Sequence, residues 1–470
     1  MPPASEIKKQ RSVAIICFIP DFGHLQPLLK IADALKESGF HIKCYIADEC
    51  TPLLRRFEFD CFTLENSSRL KREKEMARIF SRSVFFNSVC LYVHYLLMYP
   101  RVSAGAGRAA SQLSKELSQQ QPDLIISDAL WFVDWYARIA RSLGVRLIVN
   151  SFDGSLAYNQ RPFVQTYGVT DMFSVLKTIV EIASAISRTF CTSFYRLLYF
   201  RDWIRLRAVR RAAAAEFEAA FPENQPVTTR PEWLVVGMAP IERKRLGNVL
   251  RLKGANRREF PALKFRSSVP VQTELRDWIG FDGERPVVYV SFGSAVELDA
   301  RFAKALYDGL RAVSARVLWS LPASQMSLLS NMPMADNIRF ESFVPQPEIL
   351  QIANVRCFVT QGGPHSIQEA LFGATPMLCI PFFVDQPYNS SIVERLGVGK
   401  RLWRRDVSAR SVSDAINEIL ENIDYQKQAT EISEDLIRNE GGVAIAQYIA
   451  DILKSPSTLG REPRNCPVLC

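Results

Sequence analysis

Short, continuously apolar runs alternate along the chain with longer stretches whose apolar positions recur at helical spacing. "VAIICFI" (13–19) precedes the amphipathic "LQPLLKIADALKESG", and "HIKCYIA" (41–47) follows it. The rhythm continues through "DLIISDAL" (123–130), "DWYARIARSLG" and "VRLIVNSF" (145–152). Strands without polar alternation belong to a parallel sheet covered on both faces, and the intervening helices supply the cover. From 155 to 245 the pattern changes to basic, aromatic-rich helical stretches with no clear strand, and "GMAPIERKRLGNVLRLKGANRREFPALKF" then reads as a linker. The alternation resumes with "PVVYVSFGS" (286–294), "RVLWSL", "IRFESFV", "RCFVTQGG" and "PMLCIPF", each followed by a helical or turn segment. The fold class predicted is α/β, with two doubly wound Rossmann-like domains at 1–245 and 281–430. A linker at 246–280 joins them, and C-terminal helices and a tail occupy 431–470. Open α/β sheets bind ligands outside the carboxyl ends of their strands, so two such domains face each other across a cleft.

Bulk properties change this picture little. With 470 residues there is room for two or three ordinary domains. Hydrophobic content of 48% and charged content of 23% are those of a soluble globular protein. The net charge of +9 is scattered in runs such as "RLKREKEMAR" and "RDWIRLRAVRR", which suits a solvated surface or peripheral contact with an anionic membrane better than a nucleic-acid partner. Ten cysteines without a C-x-x-C point to free thiols in a reducing compartment. The first apolar run leads into "DFGH" and reads as a strand, not a signal peptide. No window reaches the roughly 18 uninterrupted apolar residues of a spanning helix. "CPVLC" sets Cys466 one residue too far from the end for a prenylation box. A cytoplasmic protein is expected.

Candidate chemistry gathers at the strand ends. In "TQGGPHSIQEAL" (360–371), Gly362 and Gly363 mark a strand-to-helix turn, and Pro364 suits the first helical position. The N–H groups of that helix start, with Ser366, form an anion site, and Glu369 one turn on suits a ribose diol. A plain glycine turn before a capped helix accounts for the same residues. Gly293 and Ser294 in "VSFGS" offer a second turn of donors. Asp385 and Gln386 in "FVDQPYN" combine acceptor and amide, which suits a polyhydroxylated ligand or equally a polar helix cap. In "IPDFGHLQPLL" the next helix is expected to start near Pro27, with His24 just before it as general base or helix cap. Asp128 closes a strand expected beside the first and can fix the His24 tautomer. His41 and His94 read as structural. There is no Asp-x-Asp and no clustered ligand set, so no metal or other cofactor is expected and the helix end must stabilise the leaving charge itself.

These pieces resemble the UDP-dependent glycosyltransferases, the nucleotide-sugar family with the two-domain GT-B fold. The likeness is densest over 343–402, from "FVPQPEIL" through "FVTQGGPHSIQEALFGATPMLCIPFFVDQPYN" to "RLGVGKRL". "YVSFGS", "GHLQPLL" and "DLIISDAL" match in the same order. The resemblance implies that Phe343 stacks on uracil, the Val344 main chain binds its edge, and Gln346 lies near the ribose. It also implies that the Gly363–Ser366 turn, with His365, holds the diphosphate, Glu369 the ribose hydroxyls, and Asp385 with Gln386 the sugar. His24 resembles the catalytic base and Asp128 its partner. Two positions depart from the family: Gln361 stands where histidine is usual, and His365 where asparagine is. The function implied is inverting transfer of a hexose, glucose first, from a UDP-sugar to a small lipophilic acceptor lodged against 84–100 and 155–200. A UDP-sugar epimerase of the same architecture and a catalytically silent nucleotide-sugar-binding protein are the rival readings.

Overall fold

A computed structural model of the chain describes residues 11–19, 22–47, 59–64, 104–128, 132–151, 211–222, 232–237, 257–264, 270–280, 285–293, 296–330, 332–333, 335–382 and 385–454. Two parallel sheets organise it. The first comprises β1 (Ser12–Cys17), β2 (His41–Ala47), β3 (Asp60–Leu64), β4 (Leu124–Asp128), β5 (Arg146–Ser151), β6 (Glu232–Gly237) and β7 (Arg257–Pro261). Its strands lie in the order β3-β2-β1-β4-β5-β6-β7. The second comprises β8 (Val287–Ser291), β9 (Arg316–Ser320), β10 (Ile338–Glu341), β11 (Val355–Thr360), β12 (Met377–Cys379) and β13 (Gly399–Arg401), in the order β10-β9-β8-β11-β12-β13. Both orders reverse beside the first strand of the sheet, which opens a crevice at the strand ends between β1 and β4 and between β8 and β11. The expectation of two doubly wound α/β domains is met.

The sequences explain the sheets. β4 and β8 are buried at every position because helices cover both faces, so polar alternation would bury unpaired groups. In the second domain one apolar layer packs Phe302, Leu306 and Leu310 of the helix Ala300–Arg311 with Val412 and Ile416. The opposite layer packs Leu275, Ile367, Leu371, Val393 and Ile432.

Five local features differ from the sequence expectation or add to it. Helix α1 spans Phe22–Glu37, so it starts before Pro27 and carries Gly23 and His24 within its first turn. Pro27 forgoes one intrahelical bond, a loss confined to the helix's early part. β6 lies in the stretch that showed no strand, and β7 lies within 246–280, which read as linker. Each is short, and β7 ("RREFP") is charged and sits at the sheet edge, so its strand character comes from pairing with β6 rather than from apolar composition. The boundary at 430 falls inside the helix Ile423–Arg438. Finally, the helix Gly441–Lys454 returns to the first domain and buries Ile445, Ala446 and Ile449 in its core. Gly441 permits this close return, since a Cβ there would lie 2.4 Å from the Pro261 carbonyl oxygen. Among the described residues, no helix is long and apolar enough to cross a membrane.

Candidate functional site

Two glycine turns meet at the switch point of the second sheet. β8 and β11 are neighbours, pairing Thr360 with Ser291, so the turns after them lie side by side. Gly293 has φ +68° and Gly362 φ +81°, the left-handed region that side chains rarely enter. Between the turns lies Gln361. Its amide oxygen accepts from the Thr360 hydroxyl at 2.9 Å, which directs its amide nitrogen towards both turns. A Cβ on Gly293 would stand 2.6 Å from that nitrogen, and one on Gly363 2.9 Å. Gln361 therefore forms the floor between the turns. Ser294 lies outside the described residues.

Helix α2 (Pro364–Phe372) starts here, with Gly363 as its N-cap and no side chain capping it. The backbone N–H groups of half-buried His365 and buried Ser366 thus stand at the positive end of the helix dipole. Helix α3 (Gln386–Arg395) clamps the same turn. Asn389 donates to the Gly362 carbonyl at 3.1 Å and to an Asp385 carboxylate oxygen at 2.9 Å. Gln386 turns its amide oxygen back to the Phe382 N–H at 2.9 Å, and its own carbonyl accepts from Ser390.

Glu369 lies one turn into α2 and is only 6% exposed. One oxygen accepts from Gln346 at 2.8 Å, and Gln346 also donates to Ser366 at 3.3 Å. The Tyr289 hydroxyl donates to the Gln346 amide oxygen at 3.1 Å, which fixes the direction of that amide. The other Glu369 oxygen accepts at 2.9 Å from Gln26 of α1, across the cleft. Burial pushes the Glu369 pKa up, and Lys30, Gln346 and Gln26 oppose that rise. Burial likewise pushes Lys30 down, opposed by Glu369. Beyond this cluster, Val344 is buried while Phe343 leaves 47% of its surface exposed at the rim.

In the first sheet β1 and β4 pair in parallel, Ile16 opposite Ser127, so Asp128 lies beside the strand that leads to α1. Asp128 is buried and accepts from the Tyr136 hydroxyl at 2.9 Å. That hydroxyl accepts in turn from the Phe18 N–H at 3.1 Å, and the two rings stack at 5.0 Å. Burial, then the Asp128 charge, push the Tyr136 phenol up, so it stays a donor. Tyr136→Phe is expected to cost about 1–3 kcal/mol of stability, measured as a shift of the denaturant midpoint, because a buried carboxylate loses a donor. An unchanged midpoint would show that Asp128 does not depend on Tyr136. The backbone of His24 lies in the first turn of α1; its side chain lies outside the described residues, as do 84–100 and 155–200. Tyr289, Asn389, Tyr136, Gln26 and Lys30 escaped the sequence reading. Only polar positions 26 and 30 on an apolar helix, four apart and so on one face, left a trace there.

The arrangement suits a nucleoside diphosphate linked to a polyol. A profile for the family described as UDP-glucoronosyl and UDP-glucosyl transferase matches residues 256–437, which include every residue of this cluster except Gln26 and Lys30. Over that stretch the chain is similar to that family. Among its relatives, UDP-glucuronosyltransferase 3A1 of Xenopus laevis is 30% identical over 166 residues, 35% of this chain. That match spans 31% of the frog protein, so the chain covers about a third of its length. UDP-glycosyltransferase UGT4 of Dactylopius coccus is 22% identical over 440 residues, 88% of this chain and 80% of the relative. Os79 from O. sativa, solved with U2F and trichothecene, superposes with a TM-score of 0.64 at 17% identity, covering 93% of this chain and 99% of the other. SnogD from Streptomyces nogalater gives 0.60 at 15% identity, covering 94% and 99%. Such likeness identifies the fold as GT-B.

Proposed function

We propose that the chain is an inverting UDP-glycosyltransferase that moves a hexose, glucose first, from a UDP-sugar to a hydroxyl of a small lipophilic acceptor. One observation carries the reading: two glycine turns, a helix start and a buried carboxylate converge at the switch point of the second sheet. The diphosphate rests on the backbone of Gly293 and Gly363–Ser366, with Gln361 beneath it. Phe343 offers its exposed ring to uracil and Glu369 its carboxylate to the ribose. Asp385, steered by Asn389, and Gln386 face the sugar hydroxyls.

In the transfer step His24 removes the proton from the acceptor hydroxyl. The oxygen attacks the anomeric carbon from the face opposite UDP, and the bond from that carbon to the diphosphate oxygen breaks as the new one forms. UDP leaves with the electron pair, stabilised by the helix start without a metal. Asp128 holds the imidazole and balances its charge. A lipophilic acceptor is supported by the aromatic content of 84–100 and 155–200. Relatives named for such acceptors, including an ecdysteroid UDP-glucosyltransferase and the trichothecene-bound structure, support it as well.

An acceptor screen with radiolabelled UDP-glucose over phenols, sterols and fatty alcohols tests the reading. A glycosylated product is expected with at least one class, at a rate that depends on acceptor concentration. A new UDP-sugar formed without acceptor would make the protein an epimerase. UDP binding with no turnover against any acceptor or donor would make it a silent binding protein.

A further inference from the structure

Glu369 is held from both sides of the cleft, and one side belongs to the other domain. Gln26 and Lys30 stand four residues apart on one face of α1, and each is 6% exposed although polar. Gln26 donates to Glu369 at 2.9 Å, while Lys30 and Glu369 act on each other as opposite buried charges. Burying a lysine and a carboxylate is costly unless each offsets the other, so this pairing carries a purpose beyond packing. We propose that Gln26 and Lys30 are positioning residues for the donor's ribose, supplied by the N-terminal domain through Glu369.

The hydrogen-bond inventory supports the assignment. An ionised carboxylate offers about four acceptor positions, two on each oxygen. Gln26 takes one position on the first oxygen and Gln346 one on the second. One position per oxygen remains, which matches the two hydroxyls of a vicinal diol. The two amides fix the carboxylate plane, and Tyr289 fixes the second amide. Lys30 opposes the rise that burial imposes on the Glu369 pKa, which favours the ionised form, and a protonated carboxyl would present a donor where the diol also donates. The same contact ties α1, whose first turn carries His24, to the donor-binding helix α2. Donor occupancy and placement of the base therefore share one element.

The inference rests on Glu369 as the acceptor of the ribose hydroxyls, and the test separates the two. UDP and 2′,3′-dideoxy-UDP are titrated calorimetrically against the full chain and against Glu369→Gln, Gln26→Met, Lys30→Met and Lys30→Gln. The natural protein is expected to prefer UDP by about tenfold or more, and Glu369→Gln to abolish the preference. Gln26→Met, Lys30→Met and Lys30→Gln should each reduce the preference by about threefold or more while leaving dideoxy-UDP affinity unchanged. Lys30→Arg, which restores the cation, should recover most of it. If the preference vanishes in Glu369→Gln but persists in the Gln26 and Lys30 variants, the positioning role is refuted and the ribose reading stands. If Glu369→Gln keeps the preference, the ribose reading falls and the inference with it. Equal loss of both nucleotides in the Gln26 and Lys30 variants would mark a structural role and also overturn the proposal. The substitutions are near-isosteric, so folded variants are expected.

Discussion

Replacing His24 with alanine is expected to lower the transfer rate by about 10²–10⁴-fold while UDP affinity stays within about twofold. The separation follows from the architecture. His24 belongs to the first domain, on α1 after β1, whereas the turns and helix start that suit a diphosphate belong to the second. A neutral hydroxyl is a poor nucleophile, and without a positioned base the proton must leave to water as the bond forms. Asp128→Asn should also lower the rate, since it removes the charge proposed to orient the imidazole and lets the ring take the wrong tautomer. Single-turnover transfer with saturating UDP-glucose and the best acceptor from the screen, alongside UDP titration, measures both quantities. Transfer at the natural rate in His24→Ala would remove the histidine from the chemistry. A parallel loss of UDP affinity would reassign it to the donor.

The second large effect is expected from Gly362→Ala. With φ at +81°, alanine costs about 1–2 kcal/mol in backbone conformation alone. The new Cβ would also stand 2.6 Å from the Ser390 hydroxyl oxygen and 3.3 Å from the Gln386 carbonyl oxygen. Helix α3 must then move, and with it the Asn389 bond to the Gly362 carbonyl. A combined stability loss of about 2–4 kcal/mol is expected. UDP affinity should fall by at least about tenfold, because the turn proposed to face the diphosphate is displaced. Gly397→Ala is the matched control. Its φ is +69°, but the nearest neighbour to a Cβ is Gln428 Cγ at 3.6 Å. It should lose the conformational part of the stability and none of the UDP affinity. Equal UDP loss in both variants would detach the nucleotide from the Gly362 turn.

Much of this was legible before the structure. Unbroken apolar strands such as "VVYVS" announce a sheet covered on both faces, and "QGGPHS" announces a turn into a helix start. Both are local matters of backbone freedom and burial, so the chain spells them out. β7 was not legible, because "RREFP" becomes a strand only by pairing with β6. Nor was the return of Gly441–Lys454 to the first domain, since an apolar face does not state which core it will enter.

The chain by itself therefore determined the two α/β domains, the glycine turns and Glu369 at one helical turn from the helix start. Each depends on residue type and on spacings shorter than one element. The tertiary structure decided what surrounds that carboxylate: Gln346 from the start of the short helix Gln346–Ile349, Tyr289 behind it, and Gln26 with Lys30 from the opposite domain. Those partners lie up to 343 residues away in sequence. Buried charge is tolerable only where such distant groups converge, and convergence is a property of packing that no local pattern encodes.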